Sequence, residues 1–196
     1  MMFLLLSFTI TSLKAQVIDP EKSANAAAMK DKKFIADNIR YNEDVVFLAQ
    51  KGRERATDAR VRELTEQVET DHSAILYSME QLQSAGTGES TQQPVKADKT
   101  PRVATPINMK LQTVSGGEFD SVWVADLLIL HQAKYDELTQ AKETVMNTQL
   151  KMAITNAIPL VRKNLSQLKS VQKYLIKLAT QRRKEAEAAA KQSRAR

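Results

Sequence analysis

An apolar repeat near the C-terminus constrains this chain more than any other feature. From Leu150 to Leu178 a residue suited to a helix interface recurs at alternating steps of four and three, with Asn164 the one polar member. The positions are Leu150, Ile154, Ala157, Val161, Asn164, Leu168, Val171, Leu175 and Leu178. Such steps place all these side chains on one stripe of an α-helix, which needs a partner surface along its length. The repeat therefore predicts a helical bundle, with Pro159 expected to kink this helix.

Two earlier segments show the same spacing, and each carries one of the two histidines in the chain. The stripe of the second predicted helix comprises Thr65, Val68, His72, Ile75, Met79 and Leu82. The stripe of the third comprises Val124, Leu128, His131, Tyr135 and Leu138. Both histidines are therefore expected to face the interior of the bundle.

The predicted helix boundaries follow from capping residues and glycines. Asp19-Pro20 is a favourable start for the first helix, because Asp caps free amides and Pro tolerates the first helical position. Gly52 is expected to break that helix, and Thr57-Asp58 to cap the next. The sequence from Ser115 to Glu118 matches a capping box that opens the third helix.

Most of the prolines and glycines lie together in the middle of the chain, between Gly86 and Gly117. A connection of this length is uncommon in compact domains, and in an all-helical protein it indicates a crossover. We expect residues 86–105 to form a surface loop and residues 107–114 a short packed turn. The predicted fold class is all-α: a ferritin-like four-helix bundle over residues 16–181, made of two helical hairpins joined by this crossover.

The chain opens with an uncharged apolar run from Met1 to Leu13, followed by Lys14 and Ala15. A membrane-spanning helix needs ~20 apolar residues, whereas the core of a signal peptide needs only ~7–15. The length predicts that residues 1–15 are a cleaved export signal, although no basic residue precedes the run. An uncleaved membrane anchor is the alternative. Export predicts a periplasmic or secreted protein of Gram-negative type.

The formal charge of +6 is concentrated at the C-terminus, where residues 182–196 contain six basic and two acidic side chains. The body of the chain is nearly neutral and shows no basic stripe with aromatic residues, so no nucleic-acid partner is predicted. The basic tail either contacts an anionic membrane surface of the cell envelope or is a solvated helix end. The length of the last helix also allows a homo-oligomer through its end.

Most catalytic motifs are absent from the sequence, and two Ser-x-x-Lys matches, Ser166 to Lys169 and Ser170 to Lys173, lack the partner motifs of the penicillin-binding enzymes. The sequence has no cysteine, no nucleophile elbow, no phosphate-binding glycine loop and no His-Glu-x-x-His. We therefore do not predict an enzyme, and the first function hypothesis is an exported bundle with a binding or structural role in the cell envelope.

A Glu-x-x-His sequence, Glu69 to His72, motivates the second hypothesis, a ferritin-like metal-binding protein or oxidoreductase with a degenerate site. This spacing places two ligands on one helix face, and Glu43 and His131 could face them. The predicted metal ligands are Glu43, Glu69, His72 and His131, for a divalent ion. A second Glu-x-x-His is missing, because Leu128 precedes His131 by three residues. In the alternative without any cofactor, the histidines are core residues bonded to neighbours such as Asp71, Asp120 or Asn164.

Several spaced residues resemble the bacterial domain-of-unknown-function family DUF4142, from about Asp31 to Leu178. They are Asp71-His72, Gly117-Glu118-Phe119-Asp120, His131 eleven residues later, and Ile158-Pro159-Leu160. The resemblance implies an exported protein with a ferritin-like fold and implies no particular activity. The family pattern has a histidine five residues after the proline, where this sequence has Asn164. If those histidines form a metal-binding or proton-binding cluster, this chain keeps two of the three.

Overall fold

The structure, a computed structural model, describes residues 20–86 and 102–194, with side chains from residue 25 onward. These ranges contain five α-helices and no strand. The helices are α1 (Pro20–Arg55), α2 (Ala59–Gly86), α3 (Ala104–Gln112), α4 (Gly116–Thr144) and α5 (Thr148–Arg194). The prediction of an all-α bundle is confirmed. The predicted export signal, residues 1–15, lies outside the described residues.

The four long helices form two neighbouring pairs. A three-residue turn joins α1 to α2, another joins α4 to α5, and the members of each pair pack against each other. The pairs meet mainly through α2 and α5, while the short α3 contacts α1 and α4. No helix within the described ranges is both long enough and apolar enough to cross a membrane.

The first predicted boundary is wrong at Gly52, because α1 continues to Arg55. Gly52 is buried in the helix, where a Cβ atom would lie 2.5 Å from Thr65 Cγ2 and 2.7 Å from Trp123 Cε2. The glycine allows a close approach between helices instead of ending one. The cap predicted at Asp58 is confirmed, since its Oδ1 atom accepts a hydrogen bond from Arg60 N at 2.8 Å.

The capping box predicted at the start of α4 is also wrong. Ser115 occupies the N-cap position, but its side chain makes no capping hydrogen bond. Only its carbonyl oxygen takes part, accepting a bond from Phe119 N at 3.3 Å. Gly116, the next residue, has φ +56° in the left-handed region instead of a helical value. The first backbone amides of α4 therefore do not take the positions that a serine cap requires.

The described end of the crossover is more ordered than a surface loop. Residues 104–112 form α3, with Ala104 and Leu111 buried, where the sequence predicted a loop to residue 105 and a short turn after it. Asp44 on α1 binds the segment, accepting hydrogen bonds from Arg102 Nε and from Ala104 N. Arg55 at the end of α1 donates to Leu111 O and Val114 O at 2.8 and 2.6 Å. These side chains of α1, which the apolar pattern does not show, hold α3 in place.

The core consists of two apolar clusters along the bundle axis. The first surrounds Trp123 and the second surrounds Ile154. The first cluster includes Val45, Leu48, Val68, Phe119, Trp123, Leu127 and Leu168. The second cluster includes Ile35, Ile75, Met79, Leu138, Leu150, Ile154 and Val161. The stripe predicted for α5 is buried from Leu150 to Leu168, so it is the contact surface of this helix.

The last part of α5 extends beyond the packed bundle. The helix continues to Arg194, and every residue from Ala179 to Arg194 is exposed. Arg182 lies beside the start of α4, since its Nη1 atom would be 3.6 Å from a Cβ atom at Gly117. The segment that follows, residues 183–194, is called the α5 extension below.

Candidate functional site

His72 of α2 and His131 of α4 meet inside the bundle. Their Nε2 atoms are 3.0 Å apart, and the ring planes are inclined at 82°. Both side chains are completely buried, with 0% exposure. The apolar stripes of the two helices bring these rings together, as the spacing of both histidines predicted.

The histidines belong to a polar layer that separates the two apolar clusters. On every long helix, residues of one cluster precede this layer and residues of the other follow it. On α5, for example, Val161 belongs to the second cluster and Leu168 to the first. Among the buried polar residues, one from each long helix lies at the level between the clusters: Asn42, His72, His131 and Asn164. These four residues are called the polar layer below.

The hydrogen bonds around the histidines define which ring nitrogens carry protons. Asn42 Nδ2 donates to Asn38 O at 2.7 Å, so its Oδ1 atom is the one that faces His72. His72 Nδ1 therefore donates to Asn42 Oδ1, at 2.7 Å. His131 Nδ1 donates to Leu127 O, also at 2.7 Å. In the neutral rings both Nδ1 atoms carry the proton, and the two Nε2 lone pairs face each other.

Burial keeps both imidazoles in this neutral form. It lowers the pKa of His72 well below its usual range, and the neighbouring His131 and Lys134 lower it further. Burial also lowers the pKa of His131, to about 4, although the bond to Leu127 O and the charge of Asp71 act in the opposite direction. At neutral pH both Nε2 atoms consequently carry a lone pair that can coordinate a metal cation.

A buried cation lies close to the histidine pair. Lys134 Nζ bonds to Glu137 Oε2 at 2.7 Å and to Asn38 Oδ1 at 3.3 Å, and it lies 4.2 Å from the centre of the Tyr41 ring. Burial lowers the pKa of Lys134, while Glu137 raises it. Tyr41 donates from its hydroxyl to Leu130 O at 3.1 Å, and its ring centre is 6.0 Å from that of His72.

The two predicted carboxylate ligands lie elsewhere. Glu43 is 42% exposed, and its Oε2 atom is 3.0 Å from Arg102 Nη1. Glu69 accepts a hydrogen bond from Gln50 Nε2 at 3.0 Å and pairs with Arg53 at 2.9 Å. The structure therefore brings together two of the four predicted ligands. Nowhere in residues 20–86 and 102–194 do three or more His, Cys, Asp or Glu side chains form a group that could hold a metal ion.

The hydrogen-bond partners predicted for structural histidines are also different from those observed. Asp71 pairs with Lys163, with distances of 3.1 and 2.8 Å to its two oxygens. Asp120 binds the turn between α1 and α2. Asn164 is completely buried, and neither atom of its side-chain amide has a hydrogen-bond partner. Thus none of the three is bonded to a histidine ring.

The sequence analysis did not assign Asn42, which orients His72 from α1, or Asn38, whose main-chain carbonyl accepts a bond from Asn42 and whose side chain binds Lys134. Their spacing of four residues, within a stripe that continues through Ile35 and Val45, was the available signal. Asparagines on the buried face of a helix need partners, and here they find each other, His72 and Lys134.

Comparison with known families gives one result for this chain. A family model described as "Domain of unknown function (DUF4142)" matches residues 18–171, which include α1 to α4, the polar layer and half of α5. No curated protein and no solved structure matches the chain significantly.

Proposed function

The chain belongs to the DUF4142 family, whose description names no activity, and we propose that it is an exported binding protein of the cell envelope. In this proposal the helical bundle docks on anionic membrane surfaces through the α5 extension. The observation that carries it is the helical, fully exposed and basic end of α5. The proposal includes cleavage after residue 15 and a ferritin-like arrangement, which the two helix pairs and the long connection between them support.

The geometry of the α5 extension suits contact with a flat, charged surface. Its twelve residues have a length of about 18 Å at the rise of an α-helix. At 100° per residue, all four of its basic side chains lie within about 100° of the helix circumference. They are Arg183, Lys184, Lys191 and Arg194. One face of the extension thus presents all of its positive charge, with Glu187 on the same face and Glu185 outside it.

The chemistry of the extension favours adsorption over insertion. Glu185 and Glu187 are its only acidic residues, and Glu187 pairs loosely with Arg183 at 3.7 Å. Alanine is its only apolar residue type, so it has no bulky side chain to enter the lipid. Each basic residue near an anionic membrane contributes about 1 kcal/mol, and salt screens this attraction. We therefore expect binding that depends on anionic lipid and weakens in salt.

The experiment measures co-sedimentation of the untagged chain beginning at Gln16 with lipid vesicles. Vesicles contain either phosphatidylcholine alone or phosphatidylcholine with phosphatidylglycerol, at low and at physiological salt. The test variant replaces Lys184, Lys191 and Arg194 with Gln. The matched control replaces Lys151, Arg162 and Lys173, which are exposed on the packed part of the same helix. Both variants lose the same net charge.

We expect the wild-type chain to bind only the anionic vesicles and the test variant to bind at least tenfold more weakly than the control. Equal losses in the two variants would attribute binding to overall charge and contradict a role for the extension. Binding that persists without phosphatidylglycerol would contradict the electrostatic mechanism.

A further inference from the structure

We propose that the polar layer is a binding site for one divalent transition-metal ion of the zinc type, coordinated by the Nε2 atoms of His72 and His131. This site is independent of the α5 extension and of the membrane contact proposed above. It differs from the four-ligand site predicted from the sequence, because Glu43 and Glu69 have no part in it.

The orientation of the two rings is the first argument. Histidines that bind metal through Nε2 almost always donate the Nδ1 proton to an oxygen atom, which fixes the tautomer and the ring direction. His72 donates to Asn42 Oδ1 and His131 to Leu127 O. Both Nε2 atoms therefore carry a lone pair, and they lie 3.0 Å apart between α2 and α4.

The distance between the ligand atoms is the second argument. A zinc ion bonds imidazole nitrogen at about 2.0–2.1 Å, and a tetrahedral angle then separates two such nitrogens by about 3.3 Å. The observed separation of the Nε2 atoms is 3.0 Å. Moving the two nitrogens about 0.3 Å further apart would give the separation found at a tetrahedral zinc ion. Without a cation, two lone pairs face each other at hydrogen-bond distance.

Asn164 supplies the third argument. It is the residue that α5 contributes to the polar layer, it is completely buried, and its amide oxygen and nitrogen have no hydrogen-bond partner. A buried amide without a partner is costly, because folding removes its water without replacing it. Because Asn164 lies at the same level of the bundle as the histidines, its amide oxygen, or a water molecule bonded to it, is the candidate for a further ligand of the ion.

The charges around the layer act on a bound ion in opposite directions. Lys134 adds a positive charge that reaches His72 and opposes a cation, although it is paired with Glu137. Asp71 adds a negative charge that reaches His131 and favours a cation, although it is paired with Lys163. The lowered pKa values of both histidines mean that no proton has to leave the rings at neutral pH. Neutral imidazole is the form that coordinates metal.

The test uses untagged protein, freed of metal with a chelator and equilibrated with Zn²⁺ or Co²⁺ at neutral pH. We expect one ion per chain, visible absorption typical of tetrahedral Co²⁺, and a higher melting temperature with Zn²⁺. His72→Gln and His131→Gln should each weaken binding at least 100-fold. Tyr41→Phe is the matched control, because it removes a hydroxyl bonded to Leu130 O, from a ring whose centre is 6.0 Å from that of His72, without removing a ligand, and it should bind as the wild type does.

A second readout needs no variant and so does not depend on how the variants fold. The Nε2 resonances of both histidines, observed by ¹⁵N NMR, should move on addition of one equivalent of Zn²⁺ while the Nδ1 resonances stay protonated. Unchanged Nε2 resonances, or ions that bind equally well to the folded His131→Gln variant, would overturn the proposal. If a proton and not a metal ion occupies the position between the rings, the Nε2 resonances should respond to pH but not to Zn²⁺. That result would also overturn the proposal.

Discussion

Gly52 shows, at the scale of a single residue, how closely α1 and α4 approach. The Trp123 ring lies against the α1 backbone at this point, with its Nε1 atom donating to Leu48 O at 2.7 Å. Any side chain at position 52 would occupy the space of that ring and of the Thr65 methyl group. Local sequence rules interpret a glycine within a helix as a break, and that interpretation was wrong here because the constraint comes from a residue 71 positions away.

Gly52→Ala is therefore expected to lower the free energy of unfolding by about 1–3 kcal/mol, even though alanine favours the helix. Denaturant unfolding followed by circular dichroism measures this difference. The matched control is Gly117→Ala in α4, where a Cβ atom would meet only Arg182 Nη1 at an ordinary 3.6 Å. That variant should be as stable as the wild type or slightly more stable. Equal effects in the two variants would contradict the packing argument.

At the scale of the helices, Asp120 joins elements that are distant in sequence. Near the start of α4, its carboxylate accepts hydrogen bonds from Thr57 N, Thr57 Oγ1 and Asp58 N, at 3.0, 2.6 and 2.9 Å. The turn between α1 and α2 is thus bound to α4. Sequence periodicity predicted α2, α4 and α5 because each stripe lies within one segment. It could not predict this anchor, whose partners are about 60 residues apart.

Asp120→Asn should destabilise the protein by about 2–4 kcal/mol, because an amide nitrogen replaces one acceptor and the negative charge that strengthens the bonds is lost. The midpoint and slope of urea unfolding measure the change. Ser121→Ala, next in the chain, removes an exposed hydroxyl that bonds only to Gly117 O, and it should have little effect. A loss of less than about 0.5 kcal/mol in Asp120→Asn would show that the anchor contributes little.

At the scale of the whole molecule, the bundle consists of two apolar clusters with the polar layer between them. The positions of His72 and His131 in this layer could be predicted, since both follow the apolar spacing. The roles of Glu43 and Glu69 could not, because arginines from other parts of the chain determine where those carboxylates lie. Side-chain partners between helices depend on the packed arrangement, which the spacing within one helix does not contain.

The histidine pair makes the stability of the metal-free protein depend on pH. In the unfolded chain each histidine takes up a proton near its usual pKa of 6.5, whereas in the folded chain burial lowers both values, that of His131 to about 4. The unfolded state therefore binds more protons below pH 6.5. Stability is fully present above this pH and is lost as the pH falls, by about 1.4 kcal/mol per pH unit for each histidine.

Urea unfolding between pH 7.5 and 5.5, with chelator present, measures this dependence. The wild type should lose stability steadily below pH 6.5, and His131→Gln should show a smaller slope by about one proton. The range stays above the pH at which most carboxylates titrate. A wild-type stability that is constant over this range would contradict the assignment of neutral, buried imidazoles.

The polar layer also fixes the alignment of the helices along the bundle axis. A stripe of similar aliphatic side chains permits one helix to slide past another by a heptad, since apolar contacts are not directional. The bonds from His72 to Asn42 and His131 restrict this freedom, because after such a shift the imidazole nitrogens would face aliphatic carbon. Polar residues that add little to stability can in this way select one alignment of the helices along the bundle axis from several alignments of nearly equal energy.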